Sequence, residues 1–166
     1  DRALPYEFVV LNNSVPNAWA LPGGKIAVNR GLLTELQSEA ELAAVLGHEI
    51  VHAAARHGAL AMQRGILLQG AVFATQVAAQ RGNYGGLTVG AASLGAQLLS
   101  QRNSRGAELE SDLYGMRYMA AAGYDPRAAI TLQETFVRLS EQNGGSQGRL
   151  AALFASHPPS AERVQK

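Results

Sequence analysis

Residues Glu39 to His57 read EAELAAVLGHEIVHAAARH, and the meaning of the rest of the chain follows from them. Ser38 followed by Glu41 is a capping-box signature for a helix start. Leu42, Val45, Leu46, Ile50 and Ala53 then recur at helical spacing on one face. Within that helix lies His48-Glu49-Ile50-Val51-His52, an HExxH string. Residues four apart share a helix face, so both imidazoles point at one ion while Glu49 lies beside it. Three protein ligands with an open fourth position define a catalytic zinc site, where bound water reaches a pKa of about 7. Glu49 is the general base for that water. In a chain this short, such a string arises by chance on the order of one time in a hundred or less. The apolar neighbours Val45, Leu46, Ile50 and Val51 also set the histidines against a core face instead of a charged surface.

The 166 residues contain no cysteine, so a metal must be held by nitrogen and oxygen. The candidates for a third ligand are His57, His157 and the carboxylates. Glu108 and Asp112 fit best, because they lie four apart in the segment ELESD and so share a face of a later helix. Glu108 is expected to bind the zinc, and Asp112 to accept the outer N–H of His48 and fix its tautomer. The competing reading makes Glu108 and Glu110 ordinary solvent-facing acids near a helix start. His57 lies five residues past His52, about 500° around a continuous helix, and is read as structural.

Apolar residues make up 47% of the chain and charged residues 16%, which predicts one globular domain over residues 1–166. The net charge is +1 and no Lys/Arg run stands out, which excludes the footprint of a nucleic-acid binder and leaves polypeptides as the expected partners. The start shows no charged segment leading into an apolar one, as expected of a mature or trimmed product. Two apolar stretches, Ile66 to Ala79 and Leu87 to Leu99, fall short of the roughly 20 residues a membrane span needs, and Gln69, Gln76 and Gln97 interrupt them. They are expected to form a buried or half-buried helical pair, with Gly70, Gly90 and Gly95 as close-packing faces. Peripheral membrane contact is the competing role.

Tyr6 to Leu11 reads as a strand, Asn17 to Leu21 as a second extended piece, and Lys25 to Asn29 as an alternating half-buried strand after the turn Pro22-Gly23-Gly24. Together they predict a small meander. Asn17, Ala18, Trp19 and Ala20 are expected to form an edge strand that lines the cleft and pairs with extended substrate; the plainer alternative is a structural hairpin. Beyond Gly31 the chain reads as helix. One helix is capped at Asn103 or Ser104, runs to about Ala122 and stops at Gly123, and the next restarts at Asp125-Pro126. The fold class is therefore α+β and mostly helical, with the HExxH helix beside a small N-terminal sheet.

Four segments in order, NAWALPGGKIAVNRGLL (Asn17 to Leu33), EAELAAVLGHEIVHAAARH (Glu39 to His57), SRGAELESD (Ser104 to Asp112) and HPPSAER (His157 to Arg163), resemble the HtpX and CAAX prenyl protease family of gluzincin metallopeptidases. The resemblance implies a zincin-like fold with one zinc per chain held by His48, His52 and Glu108. It also implies that Glu49 is the catalytic glutamate and Asp112 the orienting aspartate. Membrane-embedded members carry long apolar spans that are lacking here, so the chain looks more like the soluble periplasmic branch, the BepA-like and LoiP-like peptidases. That branch implies hydrolysis of peptide bonds in unfolded or misassembled proteins of the bacterial periplasm or cell envelope. The resemblance further implies that the tail returns to the active site. There His157 or Arg163 would stabilise the oxyanion, or His157 would fill zinc's fourth position. The alternative is a non-catalytic chaperone or peptide-binding module in which the zinc is structural.

Overall fold

The computed structural model describes residues 3–79 and 85–142, together with Leu153 and His157. Three strands, β1 (Glu7–Leu11), β2 (Ala18–Leu21) and β3 (Lys25–Asn29), form a sheet in the order β1-β3-β2. β2 and β3 make an antiparallel hairpin, turned at Gly23 and Gly24 with φ of 87° and 86°, while β1 runs parallel to β3. The expected meander is therefore corrected, because a meander would put β2 in the middle. Burial matches this order: Ile26, Ala27, Val28 and Asn29 of the central β3 are buried, whereas β1 at the edge is exposed along its whole length. The crossover loop that carries the chain from β1 to β2 is fastened to the start of the first helix, α1 (Arg30–Leu33). Gly31 N–H donates to Asn13 O at 2.9 Å, and Asn29 Nδ2 donates to Val15 O at 2.8 Å. A Cβ on Gly31 would come within 2.1 Å of Ser14 O, so only glycine lets the loop lie there.

The HExxH helix, α2 (Glu39–Ala54), begins as its capping box predicts, with Ser38 Oγ accepting from Glu41 N–H at 3.2 Å. The Glu41 carboxylate reaches Gln37 N–H at 2.7 Å instead of the cap residue itself. Its other oxygen accepts from the Thr131 hydroxyl at 3.1 Å, tying α2 to a later helix. This helix is central, packing on β2 and β3 on one side and on later helices on the other. Ala44, Val45, Gly47, Val51 and Ala53 are buried in it, a wider apolar girdle than one face.

Two long helices follow, α3 (His57–Ala79) and α4 (Gly85–Ala121). The helix expected to start at Asn103 or Ser104 is instead the second half of α4, continuous with the apolar stretch before it. No proline falls between Gly85 and Ala121, and a cap-forming residue without a breaker does not end a helix. α3 and α4 pack as a hairpin, yet Ile66, Leu67, Phe73 and Leu94 are 58–73% exposed, so the pair is less buried than its composition predicts. Gly70, Gly90 and Gly95 are not packing faces, since a Cβ at each would meet nothing within 4 Å. Among the described residues no helix is long and apolar enough to cross a membrane. α4 ends where Gly123 takes φ of 87°, with Tyr124 N–H reaching back to Met119 O at 2.9 Å. Asp125 Oδ1 then accepts from Arg127 N–H at 2.9 Å, and α5 (Ala128–Gln142) supplies Leu132 and Phe136 to a core shared with Val28, Leu32, Val45 and Met119.

The backbones of α2 and α4 come into close contact. A Cβ on Gly47 would sit 2.9 Å from Gly115 O, and one on Gly115 would sit 3.0 Å from His48 N. Backbones this close leave no room for a methyl group, so Gly47→Ala forces the helices apart and costs about 1–3 kcal/mol. Gly70→Ala, in open helix surface, should instead be neutral or stabilising by up to about 1 kcal/mol. Chemical denaturation of the two variants checks the contrast; equal stabilities would refute the contact.

Candidate metal centre

Two helices bring the site together. α2 presents His48, Glu49 and His52, and the Gly47–Gly115 contact holds α4 close enough for Glu108 and Asp112 to face them. His48 Nε2 lies 3.0 Å from His52 Nε2. The Glu108 carboxylate straddles the pair, with Oε2 3.3 Å from His48 Nε2 and Oε1 3.3 Å from His52 Nε2. From the far end of the chain His157 places Nδ1 3.3 Å from His48 Nε2 and 3.2 Å from Glu108 Oε2. A backbone hydrogen bond from His157 N–H to Leu153 O, 2.7 Å, fixes that residue over the core leucine. The ligand atoms of His48, His52, Glu108 and His157 all lie within 4.8 Å of one another.

These separations suit a metal. Bonds of about 2.0–2.1 Å in a tetrahedron give donor–donor edges of about 3.3 Å, close to the observed values. The protonation pattern agrees. Asp112 Oδ1 lies 2.9 Å from His48 Nδ1, so that nitrogen is the donor to Asp112 and Nε2 is the one that would offer a lone pair to a bound ion. Lone pairs from two imidazoles and a buried carboxylate meeting at one point repel each other unless a cation lies between them. The donor set, three imidazoles and one carboxylate without thiolate, suits zinc or another imidazole-binding divalent ion.

Charge in the metal-free protein reflects the same crowding. Burial works to lower the His48 pKa, but the hydrogen bonds to Asp112 and Glu108 outweigh it and raise the value to about 9. Burial holds His52 below its ordinary value. Burial would raise Glu108, but contacts with His157, His48 and His52 hold its carboxyl far below the usual carboxylate range. Glu49 is 2% exposed, and its Oε2 has no hydrogen-bond partner among the described residues. Its Oε1 lies 3.2 Å from His157 Nε2, out of line for a hydrogen bond. A buried carboxylate oxygen left unpaired beside a cluster of metal donors is poised to accept a proton from water.

All four residues expected around the metal and its histidine, His48, His52, Glu108 and Asp112, come together, and His157 joins them. Arg163 lies outside the described residues. Ala18, the first residue of β2, lines a cavity with His48, Glu49, Val45, Leu132 and Phe136. β2 is an edge strand, as its sequence predicts. Asn29 N–H donates to Asn17 O, so the odd residues of β2 face β3. The N–H and C=O groups of Ala18 and Ala20 therefore point to the open edge. His57 is outside the group of candidate ligands, as expected, but the helical path expected for it is corrected. That path assumed that α2 continues, but the helix ends at Ala54 and Arg56 turns the chain with φ of 57°, which returns His57 to within 3.1 Å of His52. A histidine five residues after the motif was the available signal; the break that makes it matter carries no glycine or proline.

Comparison with known proteins identifies the family of the chain. Residues 2–166 match the family model described as Peptidase family M48. The chain is 35% identical over 165 residues to "Mitochondrial metalloendopeptidase OMA1" of Arabidopsis thaliana, covering 98% of this chain and 31% of that protein. It is 29% identical over 169 residues to "Putative beta-barrel assembly-enhancing protease" of Vibrio cholerae, covering 99% of this chain and 34% of that protein. It is 32% identical over 167 residues to "Metalloprotease LoiP" of Escherichia coli, covering 97% and 61%. The chain thus spans about a third of the length of the first and second of these relatives.

Proposed function

This chain belongs to Peptidase family M48, and from that premise we propose that it is a zinc-dependent endopeptidase acting on unfolded or misassembled polypeptides. The observation that carries the proposal is the convergence of His48, His52 and Glu108 beside an unpaired, buried Glu49 oxygen. The three ligands hold the ion, which when bound supplies Lewis acidity and lowers the pKa of water. Asp112 keeps His48 in the tautomer that offers Nε2. Glu49 takes the proton from the attacking water and later delivers it to the leaving amine. The outward-facing groups of Ala18 and Ala20 pair with an extended substrate as an added strand, which draws its backbone along the cleft. The cavity beside Glu49, walled by Val45, Leu132 and Phe136, receives an apolar side chain of that substrate. His157, whose Nδ1 stands among the donors of His48, His52 and Glu108, would serve as a fourth ligand that holds the enzyme latent, and it would have to move aside before a substrate carbonyl approached.

The bacterial relatives named for β-barrel assembly support a place in the bacterial periplasm or cell envelope, which fractionation of cells tests directly. The competing reading is a chaperone or peptide-binding module that uses the cleft around a structural zinc.

Glu49→Gln separates the two. It should keep the fold and the metal content while casein turnover falls about 100- to 10,000-fold. A variant that still cleaves would end the peptidase mechanism, and full cellular function without cleavage would favour the chaperone. His157→Ala should raise turnover several-fold and loosen the metal, read by peptide hydrolysis and chelator competition; a drop in turnover would assign His157 to the oxyanion instead. Ala20→Pro removes one outward N–H without touching the β3 ladder, so KM for a long peptide should rise with metal content unchanged. Unaltered KM would mean that substrate does not add to β2.

A further inference from the structure

Asp112 explains how His48 is held, but among the described residues His52 has no carboxylate on its outer nitrogen. That position is taken by His57, whose Nδ1 lies 3.1 Å from His52 Nδ1. The other ring nitrogen of His57, Nε2, lies 3.4 Å from Glu110 Oε2. Ser111 Oγ stands 3.5 Å from His57 Nδ1 and completes the surroundings of that ring. The His57 side chain is 12% exposed and Glu110 49%, so the array runs from the buried centre to the surface.

Resting on the metal-centre reading above, we propose that His57 is a positioning residue for the ligand His52, forming with Glu110 a second orienting chain alongside Asp112. With an ion bound to His52 Nε2, one arrangement of protons satisfies all of its members. Nε2 of His52 faces the donor cluster, 3.3 Å from Glu108 Oε1; with an ion bound there it would offer its lone pair, leaving the proton on Nδ1 to be donated outward. His57 Nδ1 must then be the acceptor, which puts the His57 proton on Nε2, facing Glu110 Oε2. Every nitrogen has one role and none conflicts. Geometry makes this possible twice over. The break at Arg56 returns His57 to His52, and α4 carries Glu110 and Ser111 between the two residues that serve the other side of the centre, Glu108 and Asp112. A single stretch of α4 therefore supplies one ligand and the anchors of both histidines. Outer partners of this kind typically affect metal affinity by about 10- to 100-fold, because a free imidazole must give up ring rotation and the wrong tautomer to bind.

The test uses the whole chain with zinc as the probe, and reads metal affinity by competition with a chromogenic chelator alongside unfolding temperature of the metal-free protein. His57→Phe keeps the ring but offers no acceptor, and zinc affinity should fall about 10- to 100-fold. His57→Asn places Oδ1 where Nδ1 stood, and should recover most of that loss. The metal-free unfolding temperatures of all three proteins should agree. If His57→Phe binds zinc as tightly as the parent, the inference fails while the metal centre stands. If His57→Asn is as weak as His57→Phe, the hydrogen bond is not what His57 provides, and a matching fall in metal-free stability would make its role packing. If the parent itself takes up no zinc, the metal centre and this inference fall together.

Discussion

The contact between the Gly47 and Gly115 backbones is the constraint on which this molecule depends. α2 and α4 approach to a distance that no side chain allows, and the metal cluster lies beside that crossing. His48 follows Gly47 directly, while Asp112 and Glu108 lie one and two turns before Gly115 on its helix. Separating the helices by the width of a methyl group would carry Glu108 out of reach of both imidazoles. The glycine pair therefore acts on chemistry through distance alone, without touching any reacting group.

At that crossing, the same charges that make the site useful make it costly. A buried carboxylate and three imidazoles share one small volume, and Glu49 adds a second carboxylate with an unpaired oxygen. Hydrogen bonds to Asp112 and Glu108 draw a proton onto His48 in the metal-free protein, which offsets part of the crowding. A divalent ion bound there would replace that proton with a better partner, which would couple ion binding to the stability of this region. The rigidity of α2, capped by Ser38 and braced by Glu41 against α5, keeps the donors from relaxing apart.

Around this rigid centre the remaining elements have unequal roles. Among the described residues the sheet presents two free edges, β2 lining the cleft beside His48 and β1 on the other side of β3. The α3–α4 hairpin extends apolar side chains such as Ile66, Leu67 and Phe73 into the open, away from the core built by Val28, Leu32, Val45 and Phe136.

What the residues alone determined was local. HExxH at helical spacing, the Ser38–Glu41 box and the i,i+4 pair Glu108 and Asp112 each depend on a few neighbouring positions, so periodicity and residue chemistry were enough to read them. Gly123 as a helix stop was legible for the same reason. Tertiary structure decided everything that depends on which surfaces end up buried together. β3 took the middle of the sheet with β1 parallel to it, an order that no pattern in β1 or β2 announces. α4 ran through Asn103 and Ser104 because packing and the absence of a breaker outweigh a weak cap. His57 came back to His52 because Arg56 adopts a left-handed conformation that its side chain does not advertise. Helical spacing sets the direction of a side chain on its own element; only the folded chain sets what that side chain meets.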